Sequence, residues 1–121
     1  MAEEQTIVSV RNQTRKTSIS ERTAVAGSSA ERRKGLLGRD CLEPGSGLLI
    51  VPCESVHSFG MRFPIDVVYL DRNRKVRKVR ENMVPRRFSA DLLAHSVLEL
   101  PAGTIRRTHT QPGDQLEIQR V

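Results

Sequence analysis

From Ile65 to Leu70 the chain reads Ile-Asp-Val-Val-Tyr-Leu, and both faces of an extended strand over these residues are apolar except for one carboxylate. Ile65, Val67 and Tyr69 share one face and Asp66, Val68 and Leu70 the other, because successive side chains of a strand point to opposite sides. A strand with two apolar faces must be covered on both, so the fold needs a layer on each side of this segment. Asp66 adds a second constraint. An unpaired polar group in such surroundings costs roughly 2–7 kcal/mol, and a charge more, so a neighbour must neutralise it. Arg62 and His57 are the nearest candidates in sequence. Pro64 removes a backbone donor and holds Phe63 extended, which marks a corner or an edge. Gly60 permits a bulge or the close approach of another group.

The rest of the chain supplies short extended pieces around that segment. Thr6–Arg11 reads as a first strand, Asn12-Gln13-Thr14 as a turn, and Lys16–Ala26 as a second strand paired with the first. Ser28 stands three residues before Glu31, the spacing of a capping box, and a short helix follows to Leu37, with Gly38 in the left-handed position beyond it. Such a helix is too short to stand alone and is expected to act as a lid or plug on the β structure. Gly47–Val51 is a continuous apolar run of strand length ended by Pro52, and Asp71–Arg74 turns the central strand into Lys75–Arg80. Val76 and Val79 fall on opposite faces there, which predicts a bulge or partial exposure. Asn82–Ser96 carries no regular pattern, although Asp91–Ala94 is compatible with a helical turn. Ser96–Leu100 is a further strand in which Glu99 shares a face with Val97, a second acid among apolar residues. Thr104–Pro112 reads as connecting structure and Gln115–Arg120 as the closing strand. The pattern predicts a single mainly β (α+β) domain over residues 1–121: a rolled, barrel-like antiparallel sheet of about seven short strands with one short capped helix, and a disordered N-terminus over residues 1–5. A β-sandwich is the alternative.

Charge is concentrated rather than spread. Arg72, Arg74, Lys75, Arg77, Lys78, Arg80, Arg86 and Arg87, set against Asp71 and Glu81, account for the whole formal net charge of +6. Such a ridge can attract phosphates, and Arg72, Arg74, Arg77 and Arg80 are its candidate anion-binding residues. Nucleic acid is nevertheless disfavoured as a partner: one Tyr, three Phe and no Trp leave little for base stacking. No apolar run has the length of a membrane span, and Met-Ala-Glu-Glu-Gln lacks the character of a signal peptide, which points to a cytoplasmic chain. Cys41 and Cys53 are then expected to be reduced. Cys53 and His57, with Cys41, His95 or His109, have the residue types of a metal site but lack paired C-x-x-C knuckles; structural thiols are the simpler reading, and no metal or cofactor is expected.

Several blocks together carry a family resemblance: Arg33-Lys34-Gly35-Leu36-Leu37-Gly38-Arg39, Gly47-Leu48-Leu49-Ile50, Val56-His57-Ser58-Phe59-Gly60-Met61-Arg62-Phe63-Pro64-Ile65-Asp66-Val67, Val97-Leu98-Glu99-Leu100-Pro101-Ala102-Gly103 and Gly113-Asp114. In this order they resemble the prokaryotic family known as domain of unknown function 192, over most of the chain. The resemblance implies a β-rich domain and no established activity. Many relatives look exported, and many have Trp before the Met and a Lys-Asn-Thr run after it; here Phe59-Gly60-Met61-Arg62-Phe63 stands instead.

Function is therefore read from the polar groups forced among apolar ones. His57, Met61, Arg62, Asp66 and Glu99 are the candidate ligand-binding residues of a non-catalytic binding or accessory module, its partner a small polar ligand or a peptide. A hydrolase is the alternative, with His57 as general base, Asp66 orienting it and Arg62 stabilising an anion. No nucleophile elbow, H-E-x-x-H motif or phosphate loop accompanies it. A third reading is anion or nucleic-acid binding through the Arg72–Arg87 ridge. An Asp–Arg clamp with a structural histidine explains the same residues without any function.

Overall fold

The computed structural model describes residues 5–121; the expected disorder of the first residues falls on positions 1–4, outside the described part, and on exposed Gln5. Eleven elements follow in order: β1 (Ile7–Asn12), β2 (Thr17–Ala26), α1 (Ser29–Lys34), β3 (Ser46–Ile50), β4 (Ser55–His57), β5 (Ile65–Leu70), β6 (Val76–Met83), β7 (Phe88–Ala90), β8 (Ser96–Pro101), α2 (Thr104–Thr108) and β9 (Leu116–Arg120). Seven strands form one curled sheet in the order β6-β5-β8-β3-β2-β1-β9, and β4 pairs with β7 in a separate two-stranded sheet. The protein is thus mainly β, a half-barrel with short helices. Its two edge strands approach each other at one end. There Lys75 bridges Gln115, and Val76 exchanges backbone hydrogen bonds of 2.8 Å with Asp114 and Gly113.

Five of the six pairings in the large sheet are antiparallel, but β2 and β3 run parallel. Parallel neighbours need a crossover connection, and the segment holding α1 supplies it. Two elements lie where sequence reading placed none. The irregular Asn82–Ser96 stretch contains β7, and the connection after Gly103 coils into α2.

The sheet carries a core on each face. Val68 and Leu70 of β5, Leu98 and Leu100 of β8, and Ile19, Leu49 and Leu116 pack inside the curl, with Ile105 of α2 as the plug. Ile65, Val67 and Tyr69 point the other way and meet Ile50, Val97 and Met83, roofed by Leu36, Val56 and Met61. All six residues of β5 are buried, as its two apolar faces require. Of the bulge or partial exposure expected here, β6 shows both: it is partly exposed along its length, and Tyr69 faces Lys78 while Leu70 faces Val76, leaving Arg77 as the extra residue. The bulge lets Val76 and Val79 both pack on the inner core.

A buried polar knot ties the β1–β2 turn to the turn before β9. Asp114 accepts hydrogen bonds from Asn12 Nδ2 (3.0 Å), Arg15 Nε (3.1 Å) and Gln111 N (3.0 Å). Burial pushes its carboxyl up, but the Arg15 guanidinium, the Asn12 amide and the Gln111 N–H outweigh burial and hold it below the ordinary 3.8. A depressed folded value means the stabilisation is present above the unfolded pKa and is lost as pH falls through the folded one. Asp114→Asn should therefore cost about 2 kcal/mol at neutral pH and flatten the acid limb of the stability profile. Urea melts at pH 7 and pH 3 measure both effects; an equal loss at the two pH values would refute the assignment.

Candidate functional site

Asp66 does not find its partner in Arg62 or His57. Its carboxylate, fully buried, accepts three backbone N–H groups: Asn82 at 2.8 Å, Gly103 at 3.1 Å and Ile105 at 2.8 Å. Asn82 stands at φ +48° in a second bulge of β6, between the Ile65–Met83 and Val67–Arg80 pairs, and that kink turns its N–H inward. Gly103 and Ile105 belong to the tight entry into α2. Asp66 is thus a clamp between β5, β6 and α2, its charge met by amide dipoles rather than by a cation.

Arg62 lies on the surface, paired with exposed Asp40. His57 is on β4, above the outer core, whereas Asp66 faces the inner core with Val68. The sheet stands between the two side chains, so Asp66 cannot orient His57 and the proposed acid–base pair does not exist. The basic ridge is likewise partly engaged. Arg77 makes a two-pronged ion pair with Asp91 (2.9 and 3.2 Å), Lys78 lies 5.6 Å from the Tyr69 ring centroid and donates to the Ala90 carbonyl, and Arg74 reaches the Ile118 carbonyl at 3.4 Å. Arg72 borders a shallow depression with His95, and Arg80 is half-buried on β6. Cys41 is exposed while Cys53 is half-buried, and no group of three or more His, Cys, Asp or Glu with metal-holding geometry occurs among the described residues.

His57, Met61 and Glu99 do come together, at a cleft of about 80 Å³ on the outer face, under α1. The cleft is built from α1 downward. Ser28 Oγ accepts the Glu31 N–H (3.1 Å) and Glu31 Oε1 the Ser28 N–H (3.0 Å), so the expected capping box starts the helix. The helix ends at Gly35 rather than near Gly38. Gly35 has φ +48°, a backbone that side chains disfavour, and the turn sends Leu36 into the outer core. A Cβ on Gly35 would stand 3.8 Å from Glu99 Oε1 and 4.0 Å from the Arg32 carbonyl, so the missing side chain leaves the acid approachable from the helix end.

Glu99 forms the floor. It projects from β8 between Leu48 of β3 and Val67 of β5, both members of the outer core. It is 4 % exposed and makes no hydrogen bond or ion pair among the described residues. Burial alone pushes its carboxyl up to about 7. The walls are apolar, from Leu36, Ile50, Val56 and Met61; the mouth carries Arg32, Arg33 and Lys34 on one side and His57 and Cys53 on the other. The Cys53 thiol donates to the Ser55 carbonyl at 3.1 Å, and burial pushes it up, so it is held as a thiol rather than as a nucleophilic thiolate. The exposed Phe59 ring lies 6.0 Å from that of His57. Sequence reading picked out Glu99, His57 and Met61 as ligand-binding residues and paired Cys53 with His57 only as a metal candidate, but it did not pick out the cations of α1; the capping box and Gly35 were the local signals that a helix end would lie near.

A curled β sheet plugged by one helix and lidded by another, with a buried acid beneath the lid, defines a small β-rich domain. Residues 6–118 match the family model for domain of unknown function 192, described as Uncharacterized ACR, and the chain belongs to that family. It is similar to the crystal structure of a protein of unknown function from Novosphingobium aromaticivorans DSM 12444, at 25% identity and a TM-score of 0.80, covering 93% of this chain and 84% of that one. It is also similar in fold to a protein from Sinorhizobium meliloti 1021 described as a "putative transcription regulator", at 24% identity and a TM-score of 0.82, covering 97% of this chain and 95% of that one. No curated protein matches it. No helix among the described residues is long and apolar enough to cross a membrane.

Proposed function

We propose that this chain is a non-catalytic binding or accessory module whose recognition site is the Glu99 cleft, its partner a small polar ligand or the end of a peptide. The observation that carries the reading is the contrast between the two buried acids. Asp66 is given three donors by the fold, whereas Glu99 is given none among the described residues and opens onto a cleft. Buried polar groups are almost always hydrogen-bonded, so a carboxylate that the fold leaves without a donor at the foot of an opening is available to an external partner. The apolar walls would exclude water around that contact, and His57 and Met61 would frame it. Engagement of Arg77 by Asp91 makes the basic ridge the weaker candidate surface.

The reading is tested by adding millimolar small polar probes, charged and neutral, to wild type and Glu99→Gln while following backbone amide shifts. The expected result is movement at Gly35, His57 and the β8 amides in wild type, absent in the variant. Identical responses in both proteins, or movement confined to β6, would count against the cleft.

A further inference from the structure

The geometry points to a specific ligand class for this cleft: a small zwitterion, whose ammonium group sits against Glu99 while its acidic group lies at Arg33 and Lys34. The inference rests on the cleft being a binding site and adds the chemistry of its occupant.

Three observations give the polarity. First, the floor presents acceptors. Glu99 Oε1 and the Arg32 carbonyl both face the space that the absent Gly35 side chain leaves open, at 3.8 and 4.0 Å from where a Cβ would stand. The last turn of a helix also exposes carbonyls carrying partial negative charge. A group with several N–H donors and a positive charge satisfies such a floor; a carboxylate or phosphate does not. Second, the mouth is cationic, and its cations are unequal. Arg32 is committed, donating to the Gly27 carbonyl at 2.7 Å, whereas exposed Arg33 and Lys34 make no ion pair among the described residues. An anionic end emerging from the cleft would meet these two. Third, the cleft holds about 80 Å³, room for a headgroup and a short stem. A bare amine would face the mouth's cations uncompensated, and a bare acid would face Glu99, so the two halves of the site select a molecule that carries both charges.

The titratable and charged groups facing Glu99 are Arg32, Arg33 and Lys34 from α1, and Cys53 and His57 from the segment through β4; the β3 and β5 neighbours are the apolar Leu48 and Val67. An ammonium binds the ionised acid, so binding strengthens as Glu99 loses its proton. With its carboxyl near 7, affinity at pH 5.5 should be about 30-fold weaker than at pH 8.

Four probes of one length decide the matter: 4-aminobutyrate, butylamine, butyrate and 1-butanol, titrated by amide shifts at pH 8 and pH 5.5. The expected order at pH 8 is 4-aminobutyrate about tenfold tighter than butylamine, with butyrate and 1-butanol weaker still. Glu99→Gln should abolish binding of both amines. The double substitution Arg33→Gln, Lys34→Gln, on an exposed helix face, should bring 4-aminobutyrate down to the level of butylamine without weakening butylamine. His57→Gln should keep the pH slope, which assigns the slope to Glu99. Butyrate binding as well as 4-aminobutyrate, or 1-butanol binding as well as either, overturns the zwitterion while leaving the cleft as a site. If none of the four moves the cleft amides and Glu99→Gln is indistinguishable from wild type, the binding reading falls with it.

Discussion

Replacing Glu99 by Gln is expected to make the protein more stable than wild type at pH 8, by about 3 kcal/mol, and to remove a slope from its stability profile. The carboxyl stands near 7 in the folded state against an ordinary 4.5. Below pH 4.5 both folded and unfolded chains hold the proton, and the group contributes nothing to pH dependence. Between 4.5 and 7 only the folded chain holds it, so unfolding releases a proton and stability falls as pH rises. Above 7 the loss is complete and constant. The gap between 4.5 and about 7, at about 1.36 kcal/mol per pH unit, sets the size. A neutral amide has no such term. At pH 4 the two proteins should differ by about 1 kcal/mol or less, the residual reflecting a buried amide in place of a buried acid. Urea melts of both proteins from pH 4 to 9 isolate the effect, because every other titrating group cancels in the difference. A difference that does not grow with pH would mean that the acid is solvated or paired. A gain in stability on removing a natural side chain is the mark of a group retained for something other than folding.

Asp66 should behave in the opposite way. Asp66→Ala leaves the N–H groups of Asn82, Gly103 and Ile105 without their acceptor, and each buried orphan costs about 1–3 kcal/mol; the total loss should be about 5 kcal/mol. Asp66→Asn keeps one acceptor oxygen but turns an NH₂ towards donors, for a loss of about 3 kcal/mol. Hydrogen exchange should show the loss locally first, at Ile105 and Asn82, as α2 and the β6 bulge loosen. The ligand binding proposed for the Glu99 cleft, on the other face of the sheet, should survive in whatever fraction stays folded. Retention of wild-type stability by Asp66→Ala would show that the three amides find water instead and that the clamp is incidental.

The contrast between these two acids also shows how far sequence reasoning reaches. Both were legible as carboxylates in apolar strands, because period-two alternation is a local property that burial enforces residue by residue. Which of them is satisfied was not legible. The donors to Asp66 lie 16, 37 and 39 residues away, and they point at it only because β6 bulges at Asn82 and the chain turns into α2 after Gly103. Arg62 and His57 were nearer along the chain, but the former sits on the surface with Asp40 and the latter across the sheet.

The same division runs through the whole domain. The sequence by itself determined the β class, the two-faced burial of β5, the capping box that starts α1, an irregularity in the strand after Asp71–Arg74 and the family, all of which rest on interactions within a few residues or on the order of short blocks. Only the tertiary structure decided that β2 and β3 run parallel, that α2 plugs the curl, and that the end of α1 comes to rest over Glu99 and not over Asp66. These depend on backbone hydrogen bonds and packing between segments far apart in the chain, where partners are chosen by the closure of the sheet and leave no local pattern.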